Sequence, residues 1–389
     1  MVRGAEDFGA VVVTAAAPGQ LLIAAQGLTE LVRAHADEGE QLRRLPEQVV
    51  QALRDAQLMR MSVPAVYGGP EADPITAMAC METLAAADGA AGWCSMIAST
   101  TSSLSVFLPR EFAQPIFGDP NVITGGVFAP NGTAADAGDA WRVDGRWMWG
   151  SGTEHCQWIV GGAHADDGTQ HVMFFEATDV TIHDTWHTSG LRGTGSNDIS
   201  VSGAMVPKGR SVMPARATRH VDSPLAEFPN FTLLAIGVAA VALGIARRAI
   251  DELSDLAVGK RPQFSQRTIA QTGTCQTDRA KAEASLGAAR AFLFGEVHAA
   301  WETVLAGGRV DVATRARIRL AGAHAAQTAA AVVDSMYTMG GGSSVFESSQ
   351  LQRCLRDVHV ATQHIMVAPR LYETLGKHLF GVDIDASMI

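Results

Sequence analysis

The sequence is poor in charge, and the charge that it has is predominantly acidic. Only 18% of the 389 residues are charged, and the formal net charge is −10 at pH 7. Because binding to nucleic acid requires clustered Lys and Arg that neutralise phosphates, this composition argues against nucleic acid as the main partner. In contrast, 47% of the residues are hydrophobic, which is enough for a large core, and the length predicts two or three domains.

Cysteine is scarce, and its spacing is irregular. The five cysteines are scattered along the chain and form no CxxC pair. Their odd number is typical of a reduced chain rather than of a disulfide scaffold or a zinc site. His183 and His187 are four residues apart, but they fall in a predicted strand and loop, where this spacing does not build a metal site. We therefore expect no metal.

The sequence also lacks an obvious leader and a long membrane-spanning run. Glu6 and Asp7 precede the first short apolar stretch, which is not the pattern of a signal peptide. The longest uncharged apolar run, 231–246, is shorter than the roughly 18–20 residues that cross a bilayer, and Arg247 and Arg248 follow it. It is predicted to be a buried core helix. We expect a soluble, cytoplasmic protein without a membrane partner.

Residues 1–120 are predicted to form an N-terminal helical domain. Apolar residues recur there with helical spacing, and Pro and Gly punctuate the segments between them. Helical segments are expected at 28–35, at 49–59, at 75–87, from about 92, and from Pro109 to Gly118.

Residues 121–221 have a different character and are predicted to form a β domain. Five of the seven Trp fall between Trp141 and Trp186, and short runs of alternating polarity lie between Gly and Asp turns. Such runs are found at 141–149, 171–175 and 199–206. Alternation with period two beside Asp-Gly turns predicts antiparallel strands.

Residues 222–389 are rich in Ala and are predicted to form a C-terminal bundle of four helices. The four long segments are expected at about 227–258, 268–306, 311–340 and 349–379. Their apolar faces are interrupted by Gly and Ala, which favours close packing of helices, both within the chain and between subunits.

Three strings in this order carry a family resemblance. Residues 144–155 read DGRWMWGSGTEH, residues 186–198 read WHTSGLRGTGSND, and residues 351–357 read LQRCLRD, with His364 after them. Together they resemble the acyl-CoA dehydrogenase superfamily over about 25–381, and more narrowly its two-component flavin-dependent monooxygenase branch. The resemblance implies an α+β, acyl-CoA dehydrogenase-like fold with an N-terminal helical domain, a central β-barrel domain and a C-terminal four-helix bundle.

The resemblance also implies where a flavin lies. Small backbone at the strand end can be laid against a flat flavin ring, and a Gly-rich loop beside an Arg resembles a nest for phosphate or the pyrimidine edge of the ring. An ordinary turn is the alternative at both places. The cofactor, reduced FMN or FAD, is expected to contact Trp149, Gly150, Ser151, Arg192, Thr194 and Ser196. Arg261 and Phe264 resemble the family's contact with the cofactor phosphate, made within the chain or across subunits, although an Arg at a helix end is often only a solvated cation.

The end of the bundle bears on the reaction. In acyl-CoA dehydrogenases a Glu removes the α-proton of the thioester, but His364 and Ile365 stand where the family's Tyr and Glu would be. The alternative position for this base falls near Ser254, with Asp251, Glu252 and Asp255 close by, any of which could serve as a displaced base. Since Ile cannot take a proton, the dehydrogenase reaction loses its central group.

By the same resemblance, His364 and Ser151 are the candidate catalytic residues of a monooxygenase. An imidazole that titrates near neutrality can pass a proton in either direction, so His364 is expected to handle the proton. Ser151 is expected to support the reactive edge of the flavin. A packed core histidine is the alternative for His364.

The substrate is expected on the side of the N-terminal helical domain, near Trp93 and residues 95–103 in the predicted helical segment that begins at about 92. Its candidate contacts are Trp93, Ser95, Ser99 and Thr101, and Thr101 stands near the place where phenol hydroxylases of this branch carry a His. A small, hydroxyl-rich wall suits several substrates, so oxygenation at C, N or S stays open.

The resemblance further implies partners. A separate NAD(P)H-dependent flavin reductase is expected, because the chain shows no nicotinamide site, together with O2 and a homotetrameric assembly. Two alternatives are an acyl-CoA dehydrogenase or oxidase with a displaced base, and a flavin- or ligand-binding protein without turnover.

Overall fold

Helices make up the first part of the chain. The computed structural model describes residues 18–214, 217–386 and 389. The first helices are α1 (Pro18–Ala34), α2 (Ala36–Leu42), α3 (Glu47–Asp55), α4 (Pro74–Ala87), α5 (Gly89–Ser102) and α6 (Arg110–Phe117). Asp73 and Asp88 cap α4 and α5, each accepting a backbone N–H from the first turn. Pro109 precedes α6 and Gly118 ends it, as the sequence predicts.

In the described part of the chain, seven strands form one mixed sheet. They are β1 (Thr124–Asp136), β2 (Ala140–Gly150), β3 (Trp158–Ala165), β4 (Gln170–Glu176), β5 (Thr181–His183), β6 (Asn197–Pro207) and β7 (Ser211–Val212). Their order is β5-β6-β2-β1-β3-β4-β7, so the expected barrel takes the form of a single sheet whose edge strands are β5 and β7.

The expectation of purely antiparallel strands is wrong for one pair, because β1 and β3 run parallel. Strand β2 pairs with one side of β1, and β3 pairs with the other side in the direction of β1. The connection from Gly150 to Trp158 therefore crosses β1, and this crossing places the Trp149–Ser151 turn at the end of the sheet.

The core of the sheet is organised around Trp147. Its side chain is fully buried, and its Nε1 donates to the Gly162 carbonyl at 2.7 Å. A Cβ at Gly132, Gly145 or Gly161 would lie within 2.7 Å of this ring, so these three glycines make room for it.

The C-terminal helices are α7 (Asn230–Gly259), α8 (Gly273–Leu305), α9 (Val312–Gly340), α10 (Gln350–Ala361) and α11 (Leu371–Leu379). Helix α7 is long and apolar enough to cross a membrane by length and composition. Its uncharged run, 231–246, is shorter than a bilayer requires, but the helix extends beyond that run. Of its most apolar window, 83% is buried among the other elements, as in a core helix.

The prediction of one helix over 349–379 is wrong. The chain leaves helical structure at Ala361 and resumes it at Leu371. Pro369 lacks a backbone N–H and restricts the residue before it, which disfavours a continuous helix here. His364 therefore lies in a turn rather than on a helix face. Otherwise the order of helical region, sheet and C-terminal helices is confirmed.

Candidate active site

Three segments that are remote in sequence meet at the end of the sheet. They are the turn after β2, the loop that leads into β6, and helix α5. The turn and the loop are joined by the Gly152 N–H, which donates to the Thr194 carbonyl at 2.8 Å. In the β2–β6 register, Gly150 pairs with Asn197, which brings the two segments side by side.

A chain of hydroxyl groups links these segments. The Nε1 of Trp93, on α5, donates to the Oγ of Ser151 at 3.0 Å. The Oγ of Ser151 lies 2.7 Å from the Oγ of Ser196, which lies 2.7 Å from the Oγ1 of Thr194. Thr194 in turn donates to the Leu191 carbonyl at 2.8 Å. All four side chains are buried. We call this set, from Trp93 to Leu191, the hydroxyl chain.

The two ends of the hydroxyl chain fix the direction of its protons. An indole N–H can only donate and a carbonyl can only accept, whereas each hydroxyl donates once. Thr194 donates its hydroxyl proton to the Leu191 carbonyl. Ser196 must therefore donate to Thr194, and Ser151 must donate to Ser196. Ser151 is left with a lone pair and without a free proton. The turn therefore offers an acceptor to any group that binds against it.

Trp149 is exposed beside this buried chain. Its side chain is 65% accessible, although tryptophan usually contributes to the core. Its φ of 68° is uncommon for a bulky residue, and this backbone turns the chain sharply before Ser151. An accessible aromatic face next to a hydrogen-bond acceptor suits a flat, polar-edged ring.

His364 packs against Trp93, the first member of the hydroxyl chain. Its ring lies 5.7 Å from the ring of Trp93, edge to face. The Nδ1 accepts the Met366 N–H at 3.3 Å, which leaves the proton of the neutral ring on Nε2. Burial, with the nearby Arg319, lowers the pKa of His364 to about 4. The expectation of an imidazole that titrates near neutrality is thus wrong, because desolvation disfavours the charged form.

Several of the expected contacts do not face the hydroxyl chain. Arg192 directs its Nε to the Glu40 carbonyl at 3.3 Å, towards α2. The hydroxyls of Ser95 and Thr101 donate to backbone carbonyls of Leu58 and Ile97. These groups already donate hydrogen bonds to the protein backbone. They therefore line a wall and do not donate hydrogen bonds to a ligand.

The remaining predicted contacts are divided between the core and the surface. Ser99 is buried and pairs with the hydroxyl of Ser62 at 2.9 Å. Arg261 and Phe264 are exposed in the segment between α7 and α8, and Phe264 is 97% accessible. Within one chain they do not lie among the residues around Ser151. The predicted contact of Arg261 and Phe264 with the cofactor phosphate can therefore be made only across subunits.

Two residues of the site were missed from the sequence. Leu191 terminates the hydroxyl chain through its carbonyl, which no side-chain pattern reveals. Arg319 is buried on α9, donates to the Met366 carbonyl at 3.1 Å and lowers the pKa of His364. Arg319 is the last of three arginines at alternate positions at the start of α9, a pattern that gave no sign that this one is buried. Among the described residues, no group of three or more His, Cys, Asp or Glu could hold a metal ion.

Around the position for a displaced dehydrogenase base, two of the three nearby carboxylates are paired with Arg, and the third, Asp255, is exposed to solvent. Ser254 hydrogen-bonds to the Ile250 carbonyl and accepts from Arg279. On the same helix, Asp251 lies 3.1 Å from Arg247, and Glu252 lies 2.5 Å from Arg248. A carboxylate paired with Arg is a poor proton acceptor because the pair stabilises its ionised form.

Two family models match the chain. The acyl-CoA dehydrogenase N-terminal domain matches residues 24–108, and the acyl-CoA dehydrogenase C-terminal domain matches residues 236–369. These matches cover most of the helical parts on both sides of the sheet.

Similar proteins are monooxygenases by name. Indole-3-acetate monooxygenase of Pseudomonas putida is 32% identical over 356 residues, which is 90% of each chain. The oxygenase subunit HsaA, a flavin-dependent monooxygenase of Rhodococcus jostii, is 28% identical and covers 93% of this chain and 98% of its own. The solved structure of XiaF from a Streptomyces species, in complex with FADH2 and glycerol, has a TM-score of 0.89 at 26% identity and covers 94% of this chain and 96% of its own.

Proposed function

We propose that this chain, which belongs to the acyl-CoA dehydrogenase family as a flavin-dependent monooxygenase, oxygenates an aromatic substrate with reduced flavin held against the hydroxyl chain. The observation that carries the proposal is the direction of the hydrogen bonds along the hydroxyl chain, which leaves an acceptor on Ser151. The proposal concerns the place of the flavin, its source and the substrate.

The residues present fit a reduced flavin. A reduced ring carries an N–H on its reactive edge, so it needs an acceptor there, and Ser151 offers a lone pair but no spare proton. Trp149 offers an exposed face for stacking. Bound there, reduced flavin supplies the two electrons with which one atom of O2 enters the substrate while the other leaves as water.

His364 and the buried surroundings have distinct tasks in this proposal. With a pKa of about 4, His364 is neutral at pH 7 and presents the Nε2 proton as a donor. A neutral donor can hold an oxygen atom of the substrate without bringing a charge into a buried site. Trp93 is buried between His364 and Ser151 and excludes water, which would otherwise divert oxygen to hydrogen peroxide.

We propose a separate NAD(P)H-dependent reductase as the source of reduced flavin. In support, relatives are named oxygenase subunit or oxygenase component, a wording that implies a second component. FAD is our first choice over FMN, because the neighbour at 26% identity was solved with FADH2, whereas a neighbour with FMN is 18% identical.

For the substrate we propose an indole-type aromatic compound. The support is the relative named for indole-3-acetate, at 32% identity, together with two indole rings, Trp93 and Trp149, at the site. Aromatic walls favour flat aromatic ligands through stacking and edge contacts.

The assembly is proposed to be a homotetramer. Large apolar side chains are exposed around the contact between Lys260 and the Gly340 carbonyl at the end of the bundle. They are Val258, Phe264, Val345 and Phe346. Such exposed apolar side chains mark surfaces that bind other protein surfaces. Contact between copies would also bring Phe264 and Arg261 towards another subunit.

The test is turnover with a flavin reductase, NADH, FAD and indole-3-acetate, with product and hydrogen peroxide measured together. We expect Ser151→Ala to lose most of its product and to release peroxide instead, because the reduced ring loses its acceptor. His364→Ala should do the same, by roughly 10²–10³-fold in product formation, because the oxygen atom loses the Nε2 donor that holds it. The matched control is Ser202→Ala, which changes an exposed serine on β6, the strand that follows Ser196.

Two results would overturn the proposal. One is wild-type protein that consumes no oxygen beyond the reductase alone with any indole or phenol tested. The other is bleaching of bound oxidised flavin by an acyl-CoA, which would make the chain a dehydrogenase.

A further inference from the structure

Asp357 lies where the segments of the site are joined, although it touches none of the proposed ligands. It is buried on α10, the helix that ends shortly before His364. Its Oδ1 accepts the Leu191 N–H at 2.6 Å. Its Oδ2 lies 3.3 Å from where a Cβ would stand on Gly89, the first residue of α5. One carboxylate therefore accepts a hydrogen bond from the loop before β6 and lies close to the start of the helix that carries Trp93.

Leu191 is held in an unfavourable backbone conformation. Its φ is 47°, in the left-handed region that a branched side chain rarely occupies. Its carbonyl accepts from Thr194 at 2.8 Å and from the Nε1 of Trp186 at 3.0 Å. Such a conformation persists only where the surroundings impose it. The Asp357 hydrogen bond is the contact that α10 makes to the Leu191 N–H itself.

The neighbouring residue leaves the loop little freedom. A Cβ on Gly190 would stand 2.3 Å from the carbonyl oxygen of Arg356, so the backbones of the loop and α10 are in direct contact. This backbone contact fixes the distance between the loop and α10, so the Leu191 N–H lies within reach of the Asp357 carboxylate.

The charges around Asp357 come from α2, from the cap of α5 and from α10 itself. Glu40 on α2 pairs with Arg353 at 2.7 Å and with Arg356 at 2.5 Å. Asp88 caps α5 and is a second buried carboxyl close by. Burial raises the pKa of Asp357 to about 7, which means that this place tolerates the neutral acid and thus a neutral amide of the same shape.

We propose that Asp357 is a positioning residue for the flavin site: by holding Leu191 it fixes the acceptor at the end of the hydroxyl chain, and so the lone pair that Ser151 presents. The inference rests on the proposed function in one respect, that reduced flavin binds at this acceptor. The hydrogen bond needs an oxygen at this position, not a charge. Asp357→Asn should therefore preserve it, and Asp357→Ala should abolish it.

The experiment compares Asp357→Ala, Asp357→Asn and Cys354→Ala with the wild type. Cys354 is buried one turn earlier on α10, so its truncation perturbs the same helix without touching Leu191. Two quantities are measured: hydrogen exchange in a peptide spanning residues 187–195, and anaerobic affinity for reduced FAD. We expect Asp357→Ala to exchange faster and to bind reduced FAD about tenfold more weakly. Asp357→Asn and Cys354→Ala should match the wild type in both.

Three outcomes overturn the inference. They are wild-type affinity in Asp357→Ala, an equal loss in Cys354→Ala, and a loss in Asp357→Asn as large as in Asp357→Ala. A failure of the proposed function is distinguishable, because then the wild type itself does not bind reduced FAD, while the exchange comparison still reports whether Asp357 holds the loop.

Discussion

Burial sets the protonation state of His364. The pKa falls to about 4 in the folded chain, whereas an imidazole in an unfolded chain titrates near 6.5. Between these two values the unfolded chain binds the proton and the folded chain does not. The contribution of His364 to stability is therefore complete above about pH 6.5 and is lost as the pH falls towards 4.

This dependence of stability on pH gives a prediction for His364→Gln, because a glutamine side chain does not titrate. Between pH 8 and pH 5 the variant should lose less free energy of unfolding than the wild type, by about 2 kcal/mol. Asp88 and Asp357, whose pKa values are raised by burial, act in the opposite direction but are common to both proteins. Urea unfolding at several pH values measures the difference. The matched control is His220→Gln, at an exposed histidine. If the free energy of unfolding depends on pH equally in His364→Gln and in the wild type, the account is contradicted.

The sequence grouped the right hydroxyls but could not orient them. Ser151, Thr194 and Ser196 were predicted to lie together, and they lie within hydrogen-bond distance of one another. The direction of their protons depends on the indole of Trp93 and the carbonyl of Leu191, which come from other elements. The pKa of His364 likewise depends on burial beside Arg319, and burial is a property of the folded chain.

At the scale of elements, local signals predicted some boundaries well and others badly. Pro109 and Gly118 bound α6 as expected, because both act on the backbone directly. The helix expected at 349–379 is interrupted around His364. Helical periodicity continues on both sides of the turn and hid the break, although Pro369 marks it in the sequence. The parallel pairing of β1 with β3 was not predictable, because strand direction follows from the crossing at 150–158.

The contact between α7 and α4 gives a prediction at this scale. A Cβ on Gly244 would stand 2.3 Å from the Glu82 carbonyl oxygen and 2.8 Å from the Ala85 Cβ, so the two helices touch through their backbones. Gly244→Ala should therefore lower stability by about 1–3 kcal/mol through overpacking. Gly27→Ala is the control, because nothing lies within 4 Å of its Cβ position on α1, and it should be neutral or stabilising. Equal thermal stabilities of the two variants would refute this packing.

At the scale of the whole molecule, the apolar surface at the end of the bundle predicts an assembly. If Phe346 lies between copies, Phe346→Asp should yield smaller species at micromolar concentration, because a charge would be buried without a partner. Sedimentation velocity measures this, and far-ultraviolet circular dichroism checks that the helices persist. The exposed Ile23, on α1 and far along the chain from this surface, provides Ile23→Asp as the control. A monomeric wild type would rule out the proposed tetramer while leaving the fold intact.

The central claim is that reduced flavin binds at the acceptor on Ser151. A structure of the wild type with reduced FAD, obtained without oxygen, tests it most directly. The account predicts the N–H edge of the ring within hydrogen-bond distance of Ser151 Oγ, the Trp149 side chain against the ring, and His364 on the side of Trp93. A ring bound elsewhere, for example in the cleft lined by Arg319, Arg370 and Leu371, would contradict it.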